Sequence, residues 1–381
     1  MMVTKSDKGI ENVMTDDLFE LNSGKFQVDT KEETDKKCPQ CGGTMDFDPG
    51  SSGLLCPYCG HKKEIAILDP ETTAVELDLE SAETLENCDW GVEKKTVICK
   101  SCGAQSVYDA LQISDECPYC GSNQVMEEKG KDTLAPGGVC VFKVTKEQAG
   151  SNFVKWIKGK LFCPRAAKQK AKPDAFKGVY LPYWTFDTQT ESTYTARYGR
   201  DRHVTDSKGN RRTVTDWYPT SGEYSEFIND QAVLASGMHD PATLSKIEPY
   251  NTEDNLKYKP EYVAGFVSER YSIGLKEGWN KAKEYINGIL SSNITGKIKR
   301  EHHADHVNSL RVDTAFYNVK YKYLLLPVWI SSFKYKSKVY QFIVNGQTGK
   351  VGGKSPISAL RVMIAVLVGL AAVALFFYLS R

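Results

Sequence analysis

One cysteine pattern occurs twice in this chain. Cys38-x2-Cys41 is followed after fourteen residues by Cys56-x2-Cys59, and Cys99-x2-Cys102 after fourteen by Cys117-x2-Cys120. A close pair supplies two thiolates from one tight turn, and two such turns close a tetrahedron around one ion. The spacing therefore predicts two small β zinc ribbons, each holding a structural Zn2+. Cys38, Cys41, Cys56 and Cys59 are the ligands of the first, and Cys99, Cys102, Cys117 and Cys120 those of the second.

The residues around the thiols favour metal over disulfides. Cys38-Pro39-Gln40-Cys41-Gly42, Cys56-Pro57-Tyr58-Cys59-Gly60 and Cys117-Pro118-Tyr119-Cys120-Gly121 each stiffen the loop with proline and end it on glycine, whose positive φ turns backbone N–H groups toward the sulfurs. Cys99-Lys100-Ser101-Cys102-Gly103 keeps the glycine alone. The polar stretch opening on Met1-Met2-Val3-Thr4-Lys5 contains no apolar run of signal-peptide length, so a reducing compartment is expected. A ribbon of roughly 25 residues buries little, and metal binding, on the order of 10–16 kcal/mol in peptides, is expected to drive its folding. Four thiolates leave no coordination position for an activated water, so both sites read as structural, and His61 is not needed as a ligand. Of the remaining thiols, Cys88, Cys140 and Cys163, the second sits in the apolar run Val139-Cys140-Val141-Phe142 and reads as buried and inert.

Val362 to Leu379 is free of charge. At 1.5 Å per residue these eighteen residues make about 27 Å of helix, close to a hydrocarbon core of about 30 Å. A transmembrane helix is expected over 360–380, making the chain a single-pass, C-terminally anchored membrane protein. Lys350, Lys354 and Arg361 precede the span against Arg381 beyond it, which by the positive-inside tendency puts the bulk of the chain in the cytoplasm. Ala365, Gly369 and Ala372 recur at helical spacing, a stripe that suits a homo-oligomer through the span.

Charge is divided along the chain. Residues 1–98 carry 10 Lys/Arg against 21 Asp/Glu, whereas 99–381 carry 39 against 27. The acidic first ribbon disfavours nucleic acid as its ligand. Val139–Pro173 has nine Lys/Arg against Glu147 alone, and Thr314–Arg381 has no acidic residue. Within the first stretch, Thr145 and Gln148 predict a helix start, with Ala149, Phe153, Trp156 and Ile157 turned inward and Lys155, Lys158 and Lys160 solvated, facing anionic lipid.

The domain layout expected is a flexible segment 1–35, ribbon 36–66, linker 67–96, ribbon 97–128 and a β-rich α+β domain 136–354. Two segments of that domain resemble each other: Tyr180-Leu181-Pro182-Tyr183-Trp184-Thr185-Phe186 and Leu325-Leu326-Pro327-Val328-Trp329-Ile330-Ser331. Each reads as a proline-led aromatic strand, suggesting two related halves. A hairpin is expected around Asp206–Asn210, a second turn at Asn345-Gly346, and a helix over Leu275–Leu290 with Trp279, Ala282, Ile286 and Ile289 inward. The histidine cluster Glu301-His302-His303-Ala304-Asp305-His306 puts His302 and His306 at metal-ligand spacing if helical, but no acidic base lies between them, and it reads as a solvated segment. No phosphate-binding loop or nucleophile elbow is present. No catalytic residue is assigned, and the chain is expected not to be an enzyme.

The paired Cys-Pro-x-Cys-Gly ribbons, the two Leu-Pro-x-Trp segments, Asn345-Gly346-Gln347-Thr348-Gly349-Lys350 and the terminal span together resemble a bacterial family of double-zinc-ribbon membrane proteins. Members are sometimes labelled helicase-like or TFIIB-type, and are associated with phage-shock and SPFH-domain (flotillin-like) proteins. The resemblance implies an adaptor docking a cytoplasmic protein partner at the membrane, in envelope stress. A nucleic-acid-binding ribbon protein at the membrane is the alternative, and an enzyme with an unrecognised site in the β-rich domain a third reading.

Overall fold

The computed structural model describes residues 37–65, 73–81, 94–99, 105–109, 125–128, 136–170, 176–205, 209, 211–335 and 338–379. The chain makes strands β1 (Asp46–Asp48), β2 (Gly53–Leu55), β3 (Lys62–Lys63), β4 (Leu77–Asp78), β5 (Lys94–Cys99), β6 (Gln105–Asp109), β7 (Val125–Glu128) and β8 (Gly138–Val139). Helices α1 (Lys146–Gly159) and α2 (Arg165–Lys170) follow, then β9 (Lys177–Thr205) and β10 (Arg211–Leu234). After helix α3 (Pro241–Leu244) come β11 (Leu256–Lys257), β12 (Val267–Glu269), helix α4 (Leu275–His302), β13 (His306–Tyr335), β14 (Lys338–Asn345), β15 (Val351–Gly353) and helix α5 (Ala359–Leu379).

Strands β9 and β13, 29 and 30 residues long, pair antiparallel along nearly their whole length. Most strands in globular proteins are a third of that. The two Leu-Pro-x-Trp segments meet here: Pro327 lies opposite Tyr180, Leu325 opposite Pro182, and Trp329 opposite Gly178. Because side chains alternate across a sheet, the pairing builds two cores at once. Tyr180, Trp184, Tyr321, Tyr323, Leu325 and Trp329 bury on one face; Val179, Leu181, Tyr183, Leu324, Leu326, Val328 and Ile330 bury on the other. The tryptophans are tied in as well as packed. Trp184 Nε1 donates to Ile273 O at 2.8 Å and Trp329 Nε1 to Val144 O at 2.8 Å.

Beyond Thr188 the pattern in β9 changes from continuous burial to alternation, with Thr190, Ser192, Tyr194 and Ala196 buried and their neighbours exposed. Here β10, β9 and β13 form an arm covered on one face by α4. Gly278, Ala282, Ile286, Leu290, Ile294 and Ile298 are the buried residues of α4, a strict four-residue step. At 100° per residue such a stripe drifts about 40° round the helix per step, so it winds with the twisted ribbon under it. A Cβ at Gly278 would stand 2.7 Å from Trp184 Cδ1, so the helix approaches the sheet root only because that residue is glycine. The arm bends at bulges between Asn308 and Arg311, Tyr317 and Lys320, and Ile228 and Gln231. Ser309, Asn318 and Asp230, one inside each, have positive φ.

The first ribbon is docked. Met45, Phe47 and Leu54 bury in the same core as Tyr262, Val263 and Ala264, and Phe47 N–H donates to Ala264 O at 3.0 Å. The expected linker over 67–96 is in part a clip onto the domain. Ala74 N–H donates to the buried Asn255 Oδ1 at 2.7 Å, and β4 pairs with Lys320–Tyr321 of β13. Strands β5, β6 and β7 form the backbone of the second ribbon region, and β6 pairs with β12, which runs parallel to the start of β9. A hydrogen-bonded sheet therefore joins this region to the domain.

Strands β9 and β10 pair as the expected hairpin requires, with Arg211 opposite Thr205, while residues 206–208 and 210 of its turn lie outside the described residues. The helix expected over Leu275–Leu290 continues to His302, and Ile289 is exposed rather than inward. Ile294→Ala, at the centre of the arm's covered face, is expected to lower stability by about 2–4 kcal/mol, read as an earlier chemical-denaturation midpoint, whereas Ile289→Ala stays within about 0.5 kcal/mol of the parent.

Candidate metal centre

The first cysteine set converges. The four sulfurs of Cys38, Cys41, Cys56 and Cys59 lie within 4.8 Å of one another, with Cys38 Sγ to Cys59 Sγ at 3.4 Å and Cys41 Sγ to Cys56 Sγ at 3.5 Å. Zn–S bonds of about 2.3 Å require tetrahedron edges of about 3.8 Å, so the cluster is of the right size for one ion. Two knuckles build it. Gly42 N–H donates to Cys38 O at 2.8 Å and Gly60 N–H to Cys56 O at 2.9 Å, closing each turn, and both glycines take positive φ, 73° and 76°. Cys38 N–H to Gly43 O (2.7 Å) and Cys56 N–H to His61 O (2.8 Å) complete the loops. The sheet β1-β2-β3 holds the second knuckle against the first.

The electrostatics of the thiols argue for a cation. Desolvation opposes ionisation of Cys56, but backbone N–H groups of Cys59 and Tyr58 outweigh it and bring that thiol down to about 7. The His61 N–H favours the thiolate of Cys59, yet the neighbouring thiols push it up to about 12. One sulfur ionises readily and the next resists, because anions so close repel; a divalent ion removes that penalty for all four. His61 is not one of the clustered ligands. Tyr58, between the second pair of cysteines, is 77% exposed at the tip of its knuckle.

Of the second set, Cys99 ends β5, while Cys102, Cys117 and Cys120 lie outside the described residues, as does Cys88. Cys140 is fully buried, and burial pushes its thiol up to about 12. Burial likewise raises Cys163. Both are inert at neutral pH.

The histidines do not share a helix face. Helix α4 ends at His302, His303 closes it with φ 47°, and His306 opens β13. His302 stacks on Tyr198 with ring centroids 4.1 Å apart, and its Nε2 meets Thr220 Oγ1 at 3.1 Å. His306 Nε2 meets Asp201 Oδ2 at 3.0 Å, and Arg200 Nε donates to the His302 carbonyl at 2.9 Å, capping the helix end. These are structural ties between arm and helix.

Two buried polar groups were not anticipated from the sequence. Lys322, nearly buried, reaches Asp230 Oδ1 at 2.5 Å, Asp187 Oδ2 at 3.6 Å and Glu76 Oε1 at 3.5 Å. Desolvation pulls its ammonium down, but the Asp230 contact and the other carboxylates outweigh it and raise the pKa. Glu269, also buried, contacts Ser236 Oγ and, at 2.8 Å, His239 Nε2. His239 lines a cleft of about 410 Å3 with Asp240, Lys338, Tyr340 and Lys354. His302 and His306 do not line it. The two groups come from strands and loops far apart in sequence, so no local motif marks them.

The motif Asn345-Gly346-Gln347-Thr348-Gly349 is a structural turn. Asn345, wholly buried, accepts at Oδ1 from Gln347 N–H (2.8 Å) and Thr348 N–H (2.9 Å) and donates to Ile247 O at 2.9 Å. Gly346 O in turn accepts from Lys143 and Val144 N–H, both at 2.9 Å.

Over 333 residues the chain is 30% identical to the uncharacterized protein YdjG of Bacillus subtilis (strain 168), a match spanning 84% of this chain and 90% of the relative. No family model matches the chain, and no solved structure matches it.

Cys56→Ser is expected to lower bound zinc by one ion per chain, measured by mass spectrometry of the metal, while Cys140→Ser leaves it unchanged. Lys322→Met strands three carboxylates, at a cost of about 3–5 kcal/mol in the denaturation midpoint at neutral pH. Burial already holds the Asp187 carboxyl above its ordinary range and Lys322 opposes that, so removing the lysine raises it further. The lost stability should therefore return in part as pH falls through the raised value; a deficit independent of pH would assign the loss to packing.

Proposed function

This chain belongs to the same family as YdjG, and we propose that it is a membrane-anchored zinc-ribbon adaptor docking a protein partner at the cytoplasmic face of a membrane. The observation that carries the reading is the coupling of two ends. The four-thiol site sits on a ribbon packed into the domain through Phe47 and Ala264, and the same domain runs into α5, a helix long and apolar enough to cross a membrane. A rigid link of this kind suits a docking head presented at a fixed place above a bilayer. Zn2+ on Cys38, Cys41, Cys56 and Cys59 shapes that head, and a second Zn2+ on Cys99, Cys102, Cys117 and Cys120 belongs to the same proposal. Four filled positions leave the ion no Lewis-acid role, so the ribbon's use is recognition. Lys350, Lys354 and Arg361 before the span support the cytoplasmic orientation.

Tyr58 is the natural contact, an exposed ring on a knuckle that metal and Gly43 hold still. A Cβ at Gly43 would come within 2.6 Å of its ring, so glycine there lets the two knuckles close. Tyrosine is among the residue types enriched at the hot spots of protein interfaces. The excess of acidic over basic residues in 1–98 favours a basic or apolar protein surface over a phosphate backbone. An SPFH-domain or phage-shock-type protein, as the family resemblance implies, is the partner class to examine first.

Capture of the full chain from native membranes is expected to recover a specific partner. Tyr58→Ala, with zinc content unchanged, should reduce that recovery at least about tenfold, and Cys56→Ser should abolish it. Equal recovery with all three chains would overturn the adaptor reading, and retention of the parent on DNA or RNA with a steep salt dependence would replace it with the nucleic-acid one.

A further inference from the structure

The α1–α2 connection carries an unusual turn. Helix α1 begins with the Thr145–Gln148 capping box, buries Ala149, Phe153 and Ile157, and ends with Lys160 as its C-cap. Cys163 N–H donates to Lys160 O at 3.2 Å, which makes 160–163 a tight turn with Leu161 and Phe162 at its two central positions. Turn tips ordinarily carry Gly, Asn, Asp, Ser or Pro, which face water without cost. Here Leu161 is 72% exposed and Phe162 38%, whereas Cys163 beneath them is buried.

What fixes this turn is the base of α5. Arg361, in the first turn of that helix, donates from Nη1 to Leu161 O at 2.9 Å and to Cys163 O at 2.8 Å, and Ser358 N–H donates to Phe162 O at 2.8 Å. The carbonyls of the apolar turn are thus held by the residues at which the apolar helix starts. Ile357 and Leu360, also at that start, are 71% and 61% exposed and extend the apolar surface. Around it lie exposed basic side chains on α1 and α2: Lys158, Lys160, whose ammonium sits 4.6 Å from the centroid of the Trp156 ring, and Arg165. The only acidic residue in Val139–Pro173 is Glu147, at the other end of α1.

We propose that the Lys160–Cys163 turn is a second membrane contact. Leu161 and Phe162 enter the headgroup–acyl boundary of an anionic bilayer beside the base of the span, and Lys158, Lys160 and Arg165 bind its phosphates. The proposal rests on the reading of α5 as a span. The occupant follows from continuity and charge: the turn is bonded to the helix start, so a bilayer that surrounds α5 reaches the turn, and apolar tips ringed by cations match an acyl layer beneath anionic headgroups. One anchoring helix alone would let the body swivel; a second contact at the same level fixes its tilt and the side on which the ribbon is presented.

The test uses the full chain reconstituted in vesicles, with Leu161, Phe162, Leu370 or Tyr218 replaced one at a time by p-benzoylphenylalanine. Leu370 lies within α5, and Tyr218 is an exposed ring on the arm, opposite Tyr198 and remote from the sheet root. Irradiation in phosphatidylglycerol-containing vesicles is expected to give lipid adducts at 161 and 162 within about threefold of the yield at 370 and at least tenfold above that at 218. Combining K158Q, K160Q and R165Q should lower the yields at 161 and 162 several-fold in anionic vesicles and leave that at 370 unchanged. Lipid adducts at 370 without any at 161 and 162 overturn the second contact and leave the span standing, as do adducts at 161 or 162 with a second copy of the chain. No lipid adduct at 370 removes the span itself.

Discussion

The antiparallel pairing of β9 with β13 is the interaction on which the rest of the molecule hangs. Opposing Tyr180-Leu181-Pro182-Tyr183-Trp184 to Leu324-Leu325-Leu326-Pro327-Val328-Trp329 gives a sheet root whose two faces are both apolar, so material must cover both. The first ribbon, α1 and the Tyr262–Ala264 segment cover one face; α3 with the Leu244–Ile247 turn covers the other, and β14, paired beside β13, adds Phe342 and Val344 to the first face and Ile343 to the second. Proline sits in both strands and supplies no donor to the ladder, but its carbonyl is engaged in each: Pro182 O accepts from Ala235 N–H at 2.9 Å and Pro327 O from Gly346 N–H at 2.8 Å. The arm is a continuation of the same pairing, and α4 is the lid its single apolar face requires.

The ribbon has two sources of order. Its knuckles bring together four sulfurs that could hold a metal ion, and such an ion would offset the repulsion among neighbouring thiolates. Its strands, however, are held by Met45, Phe47 and Leu54 against the domain, so the ribbon is not an independent zinc-folded bead. The domain therefore orients the ribbon's surface, with Tyr58 exposed at its tip. At the opposite end, Arg361 and Ser358 tie the start of the apolar helix to the body, so both ends are set relative to one sheet.

Much of the local structure was legible because it is written in short range. Gly42 and Gly60 after the second cysteine of each first-set knuckle, the Thr145–Gln148 box and the pairing of Arg211 with Thr205 are decided by residues within a few positions of one another, and the structure has each where the sequence puts it. The second half of α4 was not legible. Ser291, Ser292, Asn293, Thr295 and Gly296 are poor helix formers, and only a stripe one residue wide, Leu290, Ile294 and Ile298, faces the arm. Packing against a twisted sheet overrides propensity there. The length of β9 and β13 was hidden for a related reason, since each changes from two-sided burial to alternation within one strand.

By itself the sequence determined the four-thiol site, the apolar helix and the division of charge, because coordination number, hydrocarbon thickness and net charge depend on residue type and spacing alone. Tertiary structure decided the rest. It turned two similar segments into partners across one sheet and a supposed linker into a clip on β13, and it paired Lys322 with three carboxylates from distant parts of the chain. It also set Leu161 and Phe162 beside the base of α5, some two hundred residues away. Those relations depend on which surfaces are left to bury once the strands have paired, and no local pattern of residues records that.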